Sequence, residues 1–133
     1  MQLKISPDKE KAVALAKMAK ITLARLKETD EEKYPSNTLT DYYDAIHKLM
    51  EALAFLEGVK IKGEGAHQEL IDYICKKHGF EESARIFIQE MRDYRNRISY
   101  EGFMANPTHI TANKEKIESI VSRLMAIFDS KSK

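Results

Sequence analysis

Where the prolines and glycines fall constrains this chain more than any other feature. Pro7, Pro35 and Pro107, with Gly58, Gly63, Gly65, Gly79 and Gly102, all lie between segments of helical periodicity and none lies within one. Proline removes a helix donor and glycine weakens a helix interior, so these residues mark where helices stop and start. Five stretches remain. The first runs from about Pro7 to Glu28, with Ser6 as the expected N-cap, Pro7 at the first helical position and a seam of Ala12, Ala16, Ala19, Leu23 and Leu26. The second runs from about Thr38 to Glu57, with Tyr42, Ile46, Leu49, Leu53 and Leu56 in its seam and Gly58 as C-cap. A shorter third spans about Ala66 to Lys77 and stops at Gly79. The fourth covers about Glu81 to Glu101, with Ala84, Phe87, Met91, Tyr94 and Ile98 on one face. The fifth starts after Thr111 and carries Ile117, Ile120, Leu124 and Ile127, with Ser130 to Lys133 left as a frayed tail. No segment shows the period-two alternation of a half-buried strand. The expected fold is therefore all-α, an antiparallel up-and-down bundle of four to five helices forming one domain over residues 1–133.

Composition narrows the function. Hydrophobic residues make up 43% of the chain and charged residues 32%, the balance of a globular domain with one core. The 22 lysines and arginines against 21 acids argue against coating long stretches of nucleic acid, but they leave room for a small, locally basic site. The first residues, Met1 to Pro7, lack an apolar core of signal-peptide length, and the longest apolar runs, such as Ala52 to Leu56 and Leu124 to Phe128, are far too short to span a membrane. A lone Cys75 forms no internal disulfide, so a cytoplasmic protein is expected.

The informative stretch is Arg92-Asp93-Tyr94-Arg95-Asn96-Arg97-Ile98-Ser99-Tyr100-Glu101-Gly102. Arg97 sits four residues from both Asp93 and Glu101, which are expected to neutralise it, as Glu81 and Glu82 are for Arg85. Arg92 and Arg95 have no carboxylate at helical spacing. Arg95 borders the apolar seam, and Arg92, Asn96 and Ser99 extend the same edge. Two adjacent cations beside a core call for an anion from elsewhere: a carboxylate on another helix, such as Asp44, or a ligand phosphate.

Arg95-Asn96, followed by three residues and a ring at position 100, resembles the signature of the HEPN superfamily (higher eukaryotes and prokaryotes nucleotide-binding). The stretch Asp41 to Leu53 is similar to the family's second helix, with paired aromatics ahead of a small-residue and apolar seam. The loop Glu57 to Lys62 followed by His67 fits its next connection, so the resemblance covers about Asp41 to Gly102. It implies a four- or five-helix bundle that handles RNA or nucleotides. Many members are metal-independent RNases of toxin–antitoxin systems, and the resemblance implies a nucleotidyltransferase partner and a homodimer whose two motifs face one cleft. Carried onto this chain, the catalytic positions are Arg95, Asn96 and Tyr100, and the RNA- or nucleotide-binding positions are Arg92, Arg95, Ser99, Tyr43 and His47. The family motif has histidine where this chain has Tyr100, and a phenol of pKa about 10 is a poor base at neutral pH. A weakened RNase is therefore expected.

Other constellations are weaker. Cys75 and His78 have C-x2-H spacing, with His67 and His109 in neighbouring loops, but the paired knuckles of a zinc site are missing, and neither metal nor cofactor is expected. His47 lies on the flank of its helix's seam, where it can face the motif across the bundle. Tyr42, Tyr43 and Tyr100 are available to stack bases, whereas Tyr94 belongs to the seam. No glycine-rich phosphate loop is present. The competing function is a non-enzymatic helical adaptor in which Arg92 and Arg95 simply tie helices together.

Overall fold

The computed structural model describes all residues, 1–133, as five helices and a two-stranded sheet. The helices are α1 (Lys9–Lys27), α2 (Pro35–Glu57), α3 (Ala66–Lys77), α4 (Glu82–Glu101) and α5 (Pro107–Lys131). The strands β1 (Gln2–Lys4) and β2 (Val59–Ile61) pair antiparallel, with Leu3 opposite Lys60. The chain is an all-α helical bundle, and no helix is long and apolar enough to cross a membrane.

α2 is the spine. It packs against each of the other four helices and buries Leu39, Tyr43, Ile46, Leu49, Met50 and Leu53 almost completely. Its alanines at 45, 52 and 54 and those of α1 at 12, 16 and 19 are also buried, and α1 makes its main packing contact with α2. α1 runs antiparallel to α2. Arg25 pairs with Asp41 at 2.7 Å at one end, and the Asp8 N–H donates to the Phe55 carbonyl at 3.0 Å at the other. β2 and the loop after it make the return pass along α2, so α3 then runs in the same sense as α2. α4 turns back against α3, as the Arg85–Asp72 pair (2.9 Å) and the Gln89 donation to the Gln68 carbonyl (3.1 Å) record. α5 begins near the start of α2, where the Ala105 N–H donates to Ser36 Oγ at 2.9 Å, and ends near its last turn.

Several boundaries differ from the sequence reading for physical reasons. α2 and α5 start at Pro35 and Pro107 themselves, because a first helical residue has no N–H partner to lose. α1 starts later than expected: residues 5–8 are tied to the end of α2, and Asp8, not Ser6, caps the helix by accepting from the Lys11 N–H at 3.0 Å. α5 continues to Lys131, past the expected fraying point. The two strands were not expected, since three residues are too few to show an alternation.

The end of α2 gathers the molecule. The Glu57 carboxylate, 5% exposed, accepts from Tyr73 Oη of α3 at 2.8 Å, lies 2.7 Å from His78 Nε2, and is approached by Lys131 Nζ of α5 at 3.5 Å. Burial, followed by this bond to Glu57, raises the Tyr73 phenol well above its ordinary range. Next to it, Gly58 closes α2 with φ +72°, and the Ile5 N–H donates to its carbonyl at 2.8 Å.

A Cβ at position 58 would lie 2.6 Å from the Ile5 carbonyl oxygen, whereas one at Gly102, with nearly the same φ of +71°, meets nothing within 4 Å. Gly102→Ala is therefore expected to cost only the left-handed penalty, about 1–2 kcal/mol, and Gly58→Ala clearly more because backbone must move as well. Urea denaturation of the two variants checks the order.

Candidate functional site

Three helices bring ionisable side chains to one flank of the bundle. Along α2, Tyr43 and His47 lie one turn apart, and Glu51 follows one turn later. On α4, Arg92 and Arg95 stand on the edge facing α2 and the start of α3. Because α4 runs antiparallel to α3 and Gln89 already reaches Gln68, Arg92 falls just beyond the first turn of α3, where His67 sits.

The two arginines are held differently. Arg95, 21% exposed, has its Nε 3.4 Å from Asp44 Oδ1, yet that buried nitrogen makes no hydrogen bond. Its one side-chain bond is a long donation from Nη1 to Asn96 Oδ1, 3.4 Å. The rings of Tyr43 and Tyr100 each lie 6.0 Å from its guanidinium carbon, at the edge of cation–π range. Arg92 donates from Nε to Gln89 Oε1 at 3.0 Å and pairs with the adjacent Asp93 at 3.1 Å. This partner was missed in the sequence because neighbours in sequence point apart on a helix, but a long arginine side chain can bend back to one.

The histidines meet as a stack. His47 and His67 lie with ring centroids 3.9 Å apart and 21° between planes. His47 Nδ1 is 3.1 Å from Glu51 Oε1, and the Tyr43 hydroxyl is 3.4 Å from His67 Nδ1. Burial, then the neighbouring His47 and the Arg95 and Arg92 charges, push His67 below the ordinary histidine value, so its ring is neutral at neutral pH. Burial pulls Glu51 upward, but the polar contact and charge of His47, with Lys48 and His67, outweigh it and hold the carboxyl below its ordinary value. Tyr43 is fully buried and its phenol is raised far above the ordinary range, chiefly by that burial, so it stays protonated.

The residues singled out in the sequence divide accordingly. Arg92, Arg95, Asn96, Tyr43 and His47 share this flank. Tyr43 is enclosed, so it supports His67 and offers no face to a ligand base. Ser99 is exposed one turn beyond Arg95 and bonds to nothing in the cluster. Tyr100 is 76% exposed, projecting into solvent past Arg95. Arg97 pairs with neither Asp93 nor Glu101; it stacks on Phe103 at 4.2 Å and reaches Tyr94 at 5.9 Å, because the chain turning at Gly102 brings an aromatic ring under it. Glu51 and His67 were not among the expected site residues. The His47-x3-Glu51 spacing was the available signal, since it puts both on one helix face.

The four candidate metal ligands disperse. His67 joins the stack, His78 goes to Glu57, and His109 stacks on Tyr94 at 4.4 Å. Cys75 is buried, and its thiol is pushed up to about 11, mainly by that burial. No three His, Cys, Asp or Glu side chains converge as a metal site would require.

His67 makes a definite pH dependence. The unfolded ring takes its proton near 6.5, the native ring only at lower pH, so stability is full above 6.5 and falls as pH drops below it. Thermal midpoints measured between about pH 7.5 and 5.5 are expected to fall for the wild type and to fall less for His67→Gln.

Compared with models of known protein families, with characterised proteins and with solved structures, the chain gives no match.

Proposed function

We propose that this chain is a HEPN-like RNA- or nucleotide-handling protein whose Arg92–Arg95 edge holds a phosphate group, in the manner of a metal-independent RNase of a toxin–antitoxin pair. The single observation that carries this reading is the unsatisfied state of Arg95. A guanidinium has five N–H donors, and here the buried Nε has no bond and the remainder make one long contact to Asn96. A phosphate oxygen would make charge-assisted bonds to the part of the guanidinium that is not buried, leaving the buried Nε beside Asp44. Arg92, one turn away on α4, brings a second guanidinium to the same edge. Asn96, adjacent in sequence, orients Arg95 more than it meets a ligand.

The adaptor reading rests on the Arg95–Asp44 contact. That contact is 3.4 Å, off the line of a hydrogen bond, and Asp44 is itself a third exposed, so as an inter-helix tie it is weak. The nucleotidyltransferase partner follows from the family resemblance, and the cytoplasmic location from the lone Cys75. A homodimer follows from the resemblance and gains support from the exposed Tyr100 and Met104, 76% and 83% accessible in and just after the last turn of α4.

Arg95→Ala is expected to weaken binding of single-stranded RNA by tenfold or more while the fold survives, since a charge-assisted contact contributes about 1.5–3 kcal/mol. Arg97→Ala is expected to lower the thermal midpoint through loss of its Phe103 stacking and to change RNA affinity little. Anisotropy titrations and melts on the same preparations check both, and unfolding of the Arg95 variant alone would instead support the adaptor tie. Sedimentation equilibrium at micromolar concentration is expected to show a dimer that Met104→Glu dissociates; a stable wild-type monomer removes the shared cleft.

A further inference from the structure

The flank carries two imidazoles and a carboxylate that phosphate binding alone does not use. We propose that His47, oriented by Glu51, is the general base of a metal-independent RNA transphosphorylation at this site, supplying from α2 the proton transfer that position 100 lacks. The inference rests on the RNA-binding reading above and extends it to chemistry.

The geometry is that of a base with an orienting acid. His47 and Glu51 are four residues apart on α2, so they share a face, and Nδ1 stands 3.1 Å from Oε1. A carboxylate at Nδ1 favours the tautomer protonated there and leaves the Nε2 lone pair free to accept a proton. His67, stacked at 3.9 Å, fixes the plane of the His47 ring, and the buried Tyr43 hydroxyl holds His67 in turn. Because His67 is kept neutral, the stack does not set two cations face to face. The charged and titratable groups facing His47 are thus Glu51 and Tyr43 of α2, His67 of α3, and Lys60 of β2, with Arg92 and Arg95 of α4 beyond them.

Both imidazoles line an open cleft of about 210 Å³ with Glu51, Lys60 and Ile61, room for a ribose beside a phosphate held outside it. Arg95 meets α2 at Asp44 and Tyr43, one helical turn before His47. That step of about 5 Å suits a ribose hydroxyl and the phosphate attached to its neighbour. A base at position 100, by contrast, would stand in bulk water.

In the step, Nε2 of His47 takes the proton of the ribose 2′-hydroxyl as the 2′-oxygen forms a bond to phosphorus. The bond from phosphorus to the 5′-oxygen breaks, and that oxygen takes a proton from water. His47 then returns its proton to the resulting hydroxide. The products are a 2′,3′-cyclic phosphate and a 5′-hydroxyl, and no metal or oxidant enters the balance. Arg95 and Arg92 stabilise the charge that builds on the phosphoryl oxygens.

The test uses the full chain in EDTA with poly(U), poly(A), poly(C) and mixed tRNA, following cleavage, cyclic-phosphate ends and RNA affinity. Wild type is expected to cleave at least one of these, and His47→Ala to lose about 10²–10⁴-fold in rate with RNA affinity changed far less. His47→Gln serves if the alanine variant unfolds. Glu51→Gln is expected to lose less rate, with RNA affinity and thermal midpoint unchanged, because the carboxylate that orients Nδ1 is gone; a packing role alone would lower the midpoint together with the rate. RNA that binds but is not cleaved above the Arg95→Ala background overturns the base and leaves the binding reading standing. RNA that does not bind removes both. Cleavage lost in Tyr100→Phe but intact in His47→Ala, or appearing only in Tyr100→His, places the proton transfer at position 100 and overturns the assignment.

Discussion

The buried carboxylate at the end of α2 is the interaction on which the arrangement of the other elements depends. Glu57 sits at a helix C-terminus, where the backbone dipole disfavours an anion, and inside the protein, where an unpaired charge is costly. It is held there by a phenol from α3, an imidazole from the α3–α4 turn and an ammonium from α5. Tyr73 and His78 belong to α3 and its C-cap and Lys131 to α5, so satisfying one charge fixes two helices against the end of α2 at once. Removing one side of such a buried pair typically costs about 3–5 kcal/mol, more than most single apolar contacts at this size. Gly58 adds a fourth constraint: its left-handed cap lets the segment before α1 lie against it, which sets where α1 begins.

That junction also decides where the functional flank forms. With the end of α2 pinned, β2 runs back along α2 and delivers the first turn of α3 beside residue 47, not beside the helix end. His67 therefore lies on His47, and α4, turning back against α3, carries Arg92 and Arg95 past the same point. α2 itself divides its labour by face. One face is buried against α1, α4 and α5, while the adjoining strip of Tyr43, His47 and Glu51 grades from fully buried to half exposed. A rigid helix holding a base and its orienting acid at fixed spacing is a more exact support than a loop would be.

Much of the fold was legible because helix punctuation is local. The seam residues of α1, Ala12, Ala16, Ala19 and Leu26, are buried as their spacing implies, and Gly58 and Gly102 close helices in the left-handed conformation. What could not be read was whatever depends on elements meeting from far apart. Nothing local marks Glu57 as a hub, since a glutamate before a C-cap glycine looks like an ordinary surface residue. The pairing of β1 with β2 joins segments nearly sixty residues apart through three residues each. In the candidate site, the meeting of Arg95 with Asp44 was visible as an absence of local partners. Arg97 was misjudged, because its spacing to Asp93 and Glu101 carries no information about the ring that the turn at Gly102 places beneath it.

The contrast between Arg97 and Arg95 bears on the site itself. Both are arginines of one helix, two residues apart, and both are bordered by aromatic rings. Arg97 spends its planar face on Phe103, at 4.2 Å, and leaves its charge to solvent. Arg95 stands 6.0 Å from either tyrosine, too far for a close stack, with an acid only partly aligned on one edge. Under the proposed function, Asp44 is a weak internal competitor of an incoming phosphate. With net charge of only +1 across the chain, that local imbalance is the feature by which an anion would find this flank.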